Sequence, residues 1–423
     1  MTVRRFDVAS WLDSPLSRRR LDLSRFAEER AVVADICAQV MTRGDEALRE
    51  LGKRFDGWAP AQGAAFAVSP ADIEGAVERL ATPDREALEF AATRIRDFHS
   101  LQRPKELLGT KGLFLRTRPV RRAGLYAPGG RAAYPSTVLM TAIPARVAGV
   151  EEVVLATPPR ADGSVPAAIL AAAKIAGVDA VYRVGGAQAI AALAYGTASI
   201  PRVDVVAGPG NIYVTLAKKE VFGAVGIDGI AGPTEVMVLA DGDARPDFVA
   251  ADLAAQLEHD PLAWGVLITD SPQLATRVEE ELDDLVRGLE RAEIIRQANC
   301  CVIVADDMDQ AIDVANDFAP EHLLIVAADA DRIAARVDNA GAIFIGPNST
   351  VPLGDYVAGP NHTLPTSGAA RFSSPLGVYT FLKRTSVLSL NRGDLEALSK
   401  ATVRLAELEG LGAHAHAVEV RLE

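Results

Sequence analysis

The sequence predicts an α/β fold built from two similar doubly wound, mainly parallel α/β units, with a helical region before them and a short C-terminal tail after them. Three observations carry this reading. From about residue 120, short β-branched runs alternate with Ala-rich helical windows, which is the pattern of parallel βαβ units. The same alternation restarts at EVMVLA (235–240). Aromatic residues make up only 5% of the chain while Ala and Gly are abundant, as close packing of helices on sheets requires. At 423 residues the chain exceeds what one core usually supports, so more than one domain is expected.

Apolar residues recur at helical spacing in the first 110 positions, which gives an arm containing Trp11 and then helices over 26–44, 71–80 and 84–99. The first α/β unit, 121–235, takes strands at EEVVLAT, VDAVYRVGG and VDVVAGPGN and helices over 136–148, 164–176, 187–195 and 211–222. The second takes strands at EVMVLA, WGVLITD, CCVIVAD, HLLIVA and GAIFIG, with helices over 244–258, 272–288, 308–317 and 329–338. Residues 348–375 form a Gly, Pro, Ser and Asn-rich loop, and a helix over 393–408 leads into the tail. The expected domains are 1–120, a helical region packing with the second α/β unit; 121–235; 236–375; and 376–423.

A net charge of −12, with no basic cluster longer than Arg18 to Arg20, argues against nucleic acid or an anionic membrane as partner. Three cysteines, Cys37, Cys300 and Cys301, cannot all pair within one chain, which points to a reducing compartment. The start, MTVRRFDVASWLD, has no apolar h-region, and the most apolar later stretch is broken by Lys174, Asp179 and Arg183. A cytoplasmic protein is expected.

Five of the six histidines fall in the last 165 residues, among other proton-transferring or metal-binding groups. Imidazole is the commonest metal ligand and titrates near neutrality. Gln256 and His259 lie three apart at the end of a helix, where they could share an ion or satisfy the final carbonyls. Glu321 and His322 precede a buried strand and serve one site only if the turn at Pro320 breaks the pleat. GDYVAGPNHTLPT sets Asp355 and His362 between rigid Pro and permissive Gly positions, the composition of a site loop. His414 and His416, after Glu409, would share one face if extended, but as a lone feature a solvated tail is the better reading. GGAQAIAA and AGPGNIYV bring Gly-rich turns into helices near Gln188 and Asn211, where backbone amides can hold a phosphate. No GxGxxG occurs, so the residues alone make a weak case for NAD.

Eight motifs in order, APGG (127–130), GGAQAIAA (185–192), GPGN (208–211), AGPTE (231–235), QLEH (256–259), APEHL (319–323), GDYVAGPNHTLPT (354–366) and EGLGAH (409–414), resemble the L-histidinol dehydrogenase family over nearly the whole chain. The resemblance implies an aldehyde-dehydrogenase-like arrangement of the two units and a homodimer whose tail completes the partner's site. It implies one Zn2+ per subunit held by Gln256, His259, Asp355 and His414, with Glu321 and His322 as the catalytic pair. It also implies substrate contacts from Thr234, His362 and Glu409 beside the metal ligands and His322, and NAD contacts from Tyr126, Gln188 and Asn211. His416 receives no role. Thr234 stands where the family often has Ser, which keeps the hydroxyl and adds a methyl.

The implied reaction is the last step of histidine biosynthesis, L-histidinol to L-histidinal to L-histidine, with two NAD consumed. His322 would take the hydroxyl proton in the first oxidation, and Glu321 would activate water for the second. A zinc hydrolase and a zinc- and NAD-dependent dehydrogenase of another small polar alcohol are the rival expectations.

Overall fold

A computed structural model of the chain describes residues 2–17, 22–110, 112–129 and 133–423. The Arg18 to Arg20 cluster and Gly130 of APGG lie outside these. In chain order the strands are β1 (Val3–Asp7), β2 (Leu107–Thr110), β3 (Leu113–Pro119), β4 (Arg122–Tyr126), β5 (Glu152–Thr157), β6 (Ala180–Arg183), β7 (Val205–Ala207), β8 (Gly226–Ile227), β9 (Glu235–Ala240), β10 (Trp264–Thr269), β11 (Asn299–Val304), β12 (His322–Val326), β13 (Ala342–Ile345) and β14 (Leu382–Leu388).

Two all-parallel sheets form, in the orders β6-β5-β4-β7-β8 and β1-β11-β10-β9-β12-β13. Each winds outward from a central strand, β4 or β9, and then crosses to the other side, so both are doubly wound as expected. Their strands are near-continuous apolar runs: β9 is buried at all six positions, as a sheet covered on both faces demands. Val236, Val238 and Ala240 enter one core and Met237 and Leu239 the other, which follows from the two-residue period of a strand.

The chain falls into two compact units. One comprises residues 1–102 and 120–381 and holds both parallel sheets. The other, residues 103–119 and 382–423, consists of the antiparallel sheet β14-β3-β2 and the helices Arg392–Leu408 and Gly412–Glu419.

Several expectations are corrected. The N-terminal region does not pack as a whole with the second parallel sheet. Among its described residues, β1, paired with β11, the helix Val8–Asp13 and Leu16 join it. Helix Ala27–Arg43 instead buries Val33, Ile36, Cys37 and Val40 in the core of the first sheet, against the Ala-rich helix Gly186–Tyr195 whose small side chains permit close approach. Residues 103–119 pair with the tail strand rather than with the N-terminal helices. The helix expected over 71–80 is regular only across Pro70–Glu74. Within the 348–375 loop, Val351–Tyr356 is helical. His414 and His416 lie on a helix, so the shared strand face they were weighed for does not exist.

Candidate active site

The strand β12 opens with His322, and the residue before it is Glu321. Ala319 ends the helix Met308–Phe318 in a left-handed conformation (φ 50°), an uncommon one for a non-glycine residue, and Pro320 follows. This turn breaks the pleat, so both side chains reach one place: Glu321 Oε2 lies 3.6 Å from His322 Nδ1. Glu321 Oε2 accepts hydrogen bonds from Thr234 Oγ1 at 2.6 Å and from the Glu235 amide at 2.8 Å. Gln256, buried on the helix Pro246–Leu257, donates through Nε2 to Thr234 Oγ1. Its amide oxygen remains available for another partner.

Glu235 organises this end of the sheet, and its role was not read from the sequence. Its carbonyl accepts from His322 Nδ1 at 3.0 Å, and its carboxylate accepts from the amides of Glu321 at 3.3 Å and Ser367 at 3.0 Å. The available signal was a carboxylate opening an otherwise apolar strand, since such a group is buried only when satisfied. The Gly232 amide donates to Thr366 Oγ1 at 2.6 Å, so AGPTE and the TLPTS end of the loop are tied together twice.

In its neutral form His322, with Nδ1 donating to a carbonyl, carries its hydrogen there and leaves Nε2 bare. That nitrogen is buried without a hydrogen-bond partner, 3.4 Å from Asp355 Oδ1 but outside bonding geometry. Burial lowers the affinity of His322 for a second proton, yet the charges of Glu321 and Asp355 outweigh it and raise the pKa to about 9, so Nε2 carries a proton at neutral pH unless a cation engages those carboxylates. Burial raises the carboxyl of Glu321. Burial also pushes Asp355 up, but His322 and the nearby His362 and His259 overcome it and leave that carboxyl below its ordinary value.

His362 is held by Nδ1 donating to the Asp355 carbonyl at 2.9 Å, with Nε2 3.4 Å from Thr137 Oγ1; burial lowers its pKa. His259, exposed just past its helix, directs Nδ1 to the carbonyls of Ala255 at 3.0 Å and Gln256 at 3.2 Å. The capping interaction weighed in the sequence is thus present, and it leaves Nε2 free. An imidazole fixed through one nitrogen and open at the other is the usual posture of a metal ligand.

Among the described residues, no group of three or more His, Cys, Asp or Glu side chains stands assembled to hold a metal. The donor chemistry nevertheless fits zinc: the free Nε2 of His259, the amide oxygen of Gln256 and an ionised Asp355. His414 and Glu409 belong to the smaller unit, on the helix Gly412–Glu419 and at the end of Arg392–Leu408, and both are exposed.

The residues expected at NAD lie at or after the carboxyl ends of β4, β6 and β7, and the first sheet reverses its strand order between β4 and β7. Open parallel sheets commonly hold ligands there. Tyr126 ends β4, and its hydroxyl, pushed up to about 12 chiefly by burial, accepts from the Gly186 amide at 3.0 Å. Gln188 donates to Asp56 Oδ2 at 3.3 Å, and the Gly185 amide donates to the same oxygen at 3.2 Å. Asn211 caps the helix Ile212–Val221 by accepting from the amides of Tyr213 and Val214. The expectation of free amides for a phosphate is therefore corrected at Gly185 and Gly186, which Asp56 and Tyr126 already satisfy. Gly208, at φ +125°, sits where a Cβ would be 2.1 Å from the Tyr126 carbonyl oxygen, so only glycine fits. Its carbonyl and amide are gripped by the buried ion pair Lys218–Asp228. A cleft of about 1050 Å³ runs from Gly208 and Asp228 past Ala231 to Thr366 and Ser367, reaching the turn that carries Thr234 but not Glu321 or His322 themselves.

A buried imidazole with one unpartnered nitrogen, flanked by two carboxylates at the start of a strand in a parallel sheet, defines an α/β enzyme with a proton-transfer centre. Comparison with known proteins makes the class specific. A family model described as histidinol dehydrogenase matches residues 18–422. The histidinol dehydrogenase of Prochlorococcus marinus (strain MIT 9313) is 50% identical over 400 residues, covering 93% of this chain and 90% of the relative. That of Dehalococcoides mccartyi is 46% identical over 427 residues, covering 99% and 97%. The crystal structure of histidinol dehydrogenase from Elizabethkingia anophelis superposes with a TM-score of 0.91 at 33% identity, over 99% of this chain and 98% of that one. The chain belongs to the histidinol dehydrogenase family and is an NAD-dependent oxidoreductase. No helix among the described residues is long and apolar enough to cross a membrane.

Proposed function

We propose that the chain oxidises L-histidinol through L-histidinal to L-histidine, the last step of histidine biosynthesis, using Zn2+ and two NAD in turn. The observation that carries this reading is the buried Nε2 of His322, without a hydrogen-bond partner and fixed through Nδ1 on the Glu235 carbonyl beside Glu321 and Asp355. Gln256, His259 and Asp355 would hold the metal, with His414 of the partner subunit completing the set in a homodimer. Bound there, zinc would anchor the amine and imidazole of histidinol and so fix its alcohol by proximity, with NAD as hydride acceptor beside Tyr126, Gln188 and Asn211.

His322 then accepts the hydroxyl proton at Nε2 as the carbon loses hydride. Ionised Asp355 stabilises the imidazolium so formed. Thr234, His362 and Glu409 contact the substrate, and burial of the pair excludes bulk water during the first step. In the second step, Glu321 takes a proton from the water that attacks the aldehyde, while the bonds from Thr234 and Glu235 to Oε2 hold the carboxylate in place. Loss of a second hydride from the resulting hydrate leaves the carboxylate product.

The test is the NADH formed per histidinol before and after chelation. Two equivalents, lost with the metal, are expected. One equivalent, or turnover unaffected by metal removal, would overturn the reading, as would faster turnover of another amino alcohol.

A further inference from the structure

The sixth histidine, His99, lies outside the cluster that the sequence displays, yet it is completely buried at the end of the helix Thr82–Ser100. Its ring joins a polar chain that ends beside His362. Gln102 Oε1 accepts from the Val378 amide at 2.9 Å, which fixes that atom as the oxygen, and His99 Nδ1 lies 2.9 Å from it. Nδ1 must therefore carry the hydrogen, and Nε2 is an acceptor. Asn361 Nδ2 approaches that nitrogen at 3.4 Å and also donates to the Met140 carbonyl at 2.6 Å, while Asn361 Oδ1 accepts from the Thr363 amide at 2.9 Å. Flipping the Asn361 amide would turn its oxygen toward two acceptors and its NH2 toward a donor.

The same helix presses on the loop at two further points. The Arg94 guanidinium donates to the Ala358 carbonyl at 3.2 Å. Gly359, at φ +115°, lies so close that a Cβ there would be 2.8 Å from the Arg94 carbonyl oxygen and 3.1 Å from Phe98 Cβ. The segment from Asp355 to His362 is thus seated on the helix, with Asn361 as its one buried polar anchor.

We propose that His99 is a positioning residue. As a neutral ring with hydrogen on Nδ1, it orients the Asn361 amide and thereby sets His362 at its proposed substrate contact. The inference rests on the proposed function only for what His362 touches; the hydrogen-bond chain stands on its own geometry.

Two substitutions separate the ring nitrogens. His99→Asn supplies an NH2 near Nδ1 and removes the acceptor at Nε2, whereas His99→Gln places an amide oxygen near Nε2 and loses the donor at Nδ1. The first should raise the KM for histidinol about tenfold, the effect of one buried donor left unsatisfied, with the KM for NAD within about twofold. The second should stay within about threefold of wild type on both. Equal losses in the two variants, the reverse order, or no change in either would overturn the proposal, since a packing role does not distinguish them.

Heteronuclear NMR of the histidine rings in the unmodified protein is the second arm and needs no variant. A neutral His99 with hydrogen on Nδ1 is expected, and hydrogen on Nε2 or a charged ring overturns the proposal. If the wild-type chain fails to oxidise histidinol, the proposed function falls alone. The His99 tautomer, and movement of the His362 ring signals in His99→Asn but not in His99→Gln, still decide the inference.

Discussion

Glu321 and His322 share one burial pocket, and the two oxidations should separate at this pair. Glu321→Gln keeps an oxygen that can accept from Thr234 and Glu235 but removes the base proposed for water. The first hydride transfer should survive, while oxidation of added histidinal falls by about a hundredfold or more, the usual weight of a general base. Quenched-flow measurement of NADH, one equivalent formed quickly and the second slowly, checks this; parallel loss of both steps would remove Glu321 from its role. Individual residues were legible in the sequence to different degrees. Glu321 and His322 stood out by type, but their convergence depended on the left-handed Ala319, which no local pattern announces. Gln256 and His259 taken alone read better as a helix end than as a metal site, and the structure gives His259 the bonds of one. Glu235 stood without a role of its own inside AGPTE and His99 was passed over, because a single polar residue in an apolar strand or on an amphipathic helix takes much of its meaning from distant partners, Glu321 86 positions from Glu235 and Asn361 262 from His99.

At the scale of elements, the strands seen in advance were the β-branched ones buried on both faces. β4, RAGLY, was missed although it is the central strand of its sheet, since its burial comes from neighbours on either side rather than from its own composition. β1 and β14 were missed for a related reason: their partners, β11 and β3, lie hundreds of residues away in the chain. The helix Thr82–Ser100 was placed nearly to the residue, but its task of bearing the site loop was not visible, and that task has a pH signature. Burial holds His99 below its ordinary pKa of 6.5. Between the lowered value and the ordinary one, the unfolded chain binds a proton that the folded chain does not, so stability falls as pH drops below about 6.5. Urea midpoints at pH 7.5 and 5.5 should fall more for wild type than for His99→Gln, by up to ~1.4 kcal/mol for each pH unit inside that window. Identical falls in the two proteins would mean that His99 titrates freely.

At the scale of the whole molecule, the proposed metal set is split between two compact units: Gln256, His259 and Asp355 belong to the larger, and His414 with Glu409 to the smaller. If His414 acts on the partner's site, each active site needs the larger unit of one chain and the tail of the other. Isologous pairing then allows complementation. A chain carrying His322→Gln and another carrying His414→Asn are each inactive as homodimers, because every site lacks one group. Mixed dimers differ. One of their sites receives both defects, and the other combines an intact His322 with an intact His414. Unfolding and refolding the two variants together should therefore restore about a quarter of wild-type activity, since half of the dimers are mixed and each mixed dimer has one working site. A site built from a single chain would give no recovery, because neither chain alone carries both groups.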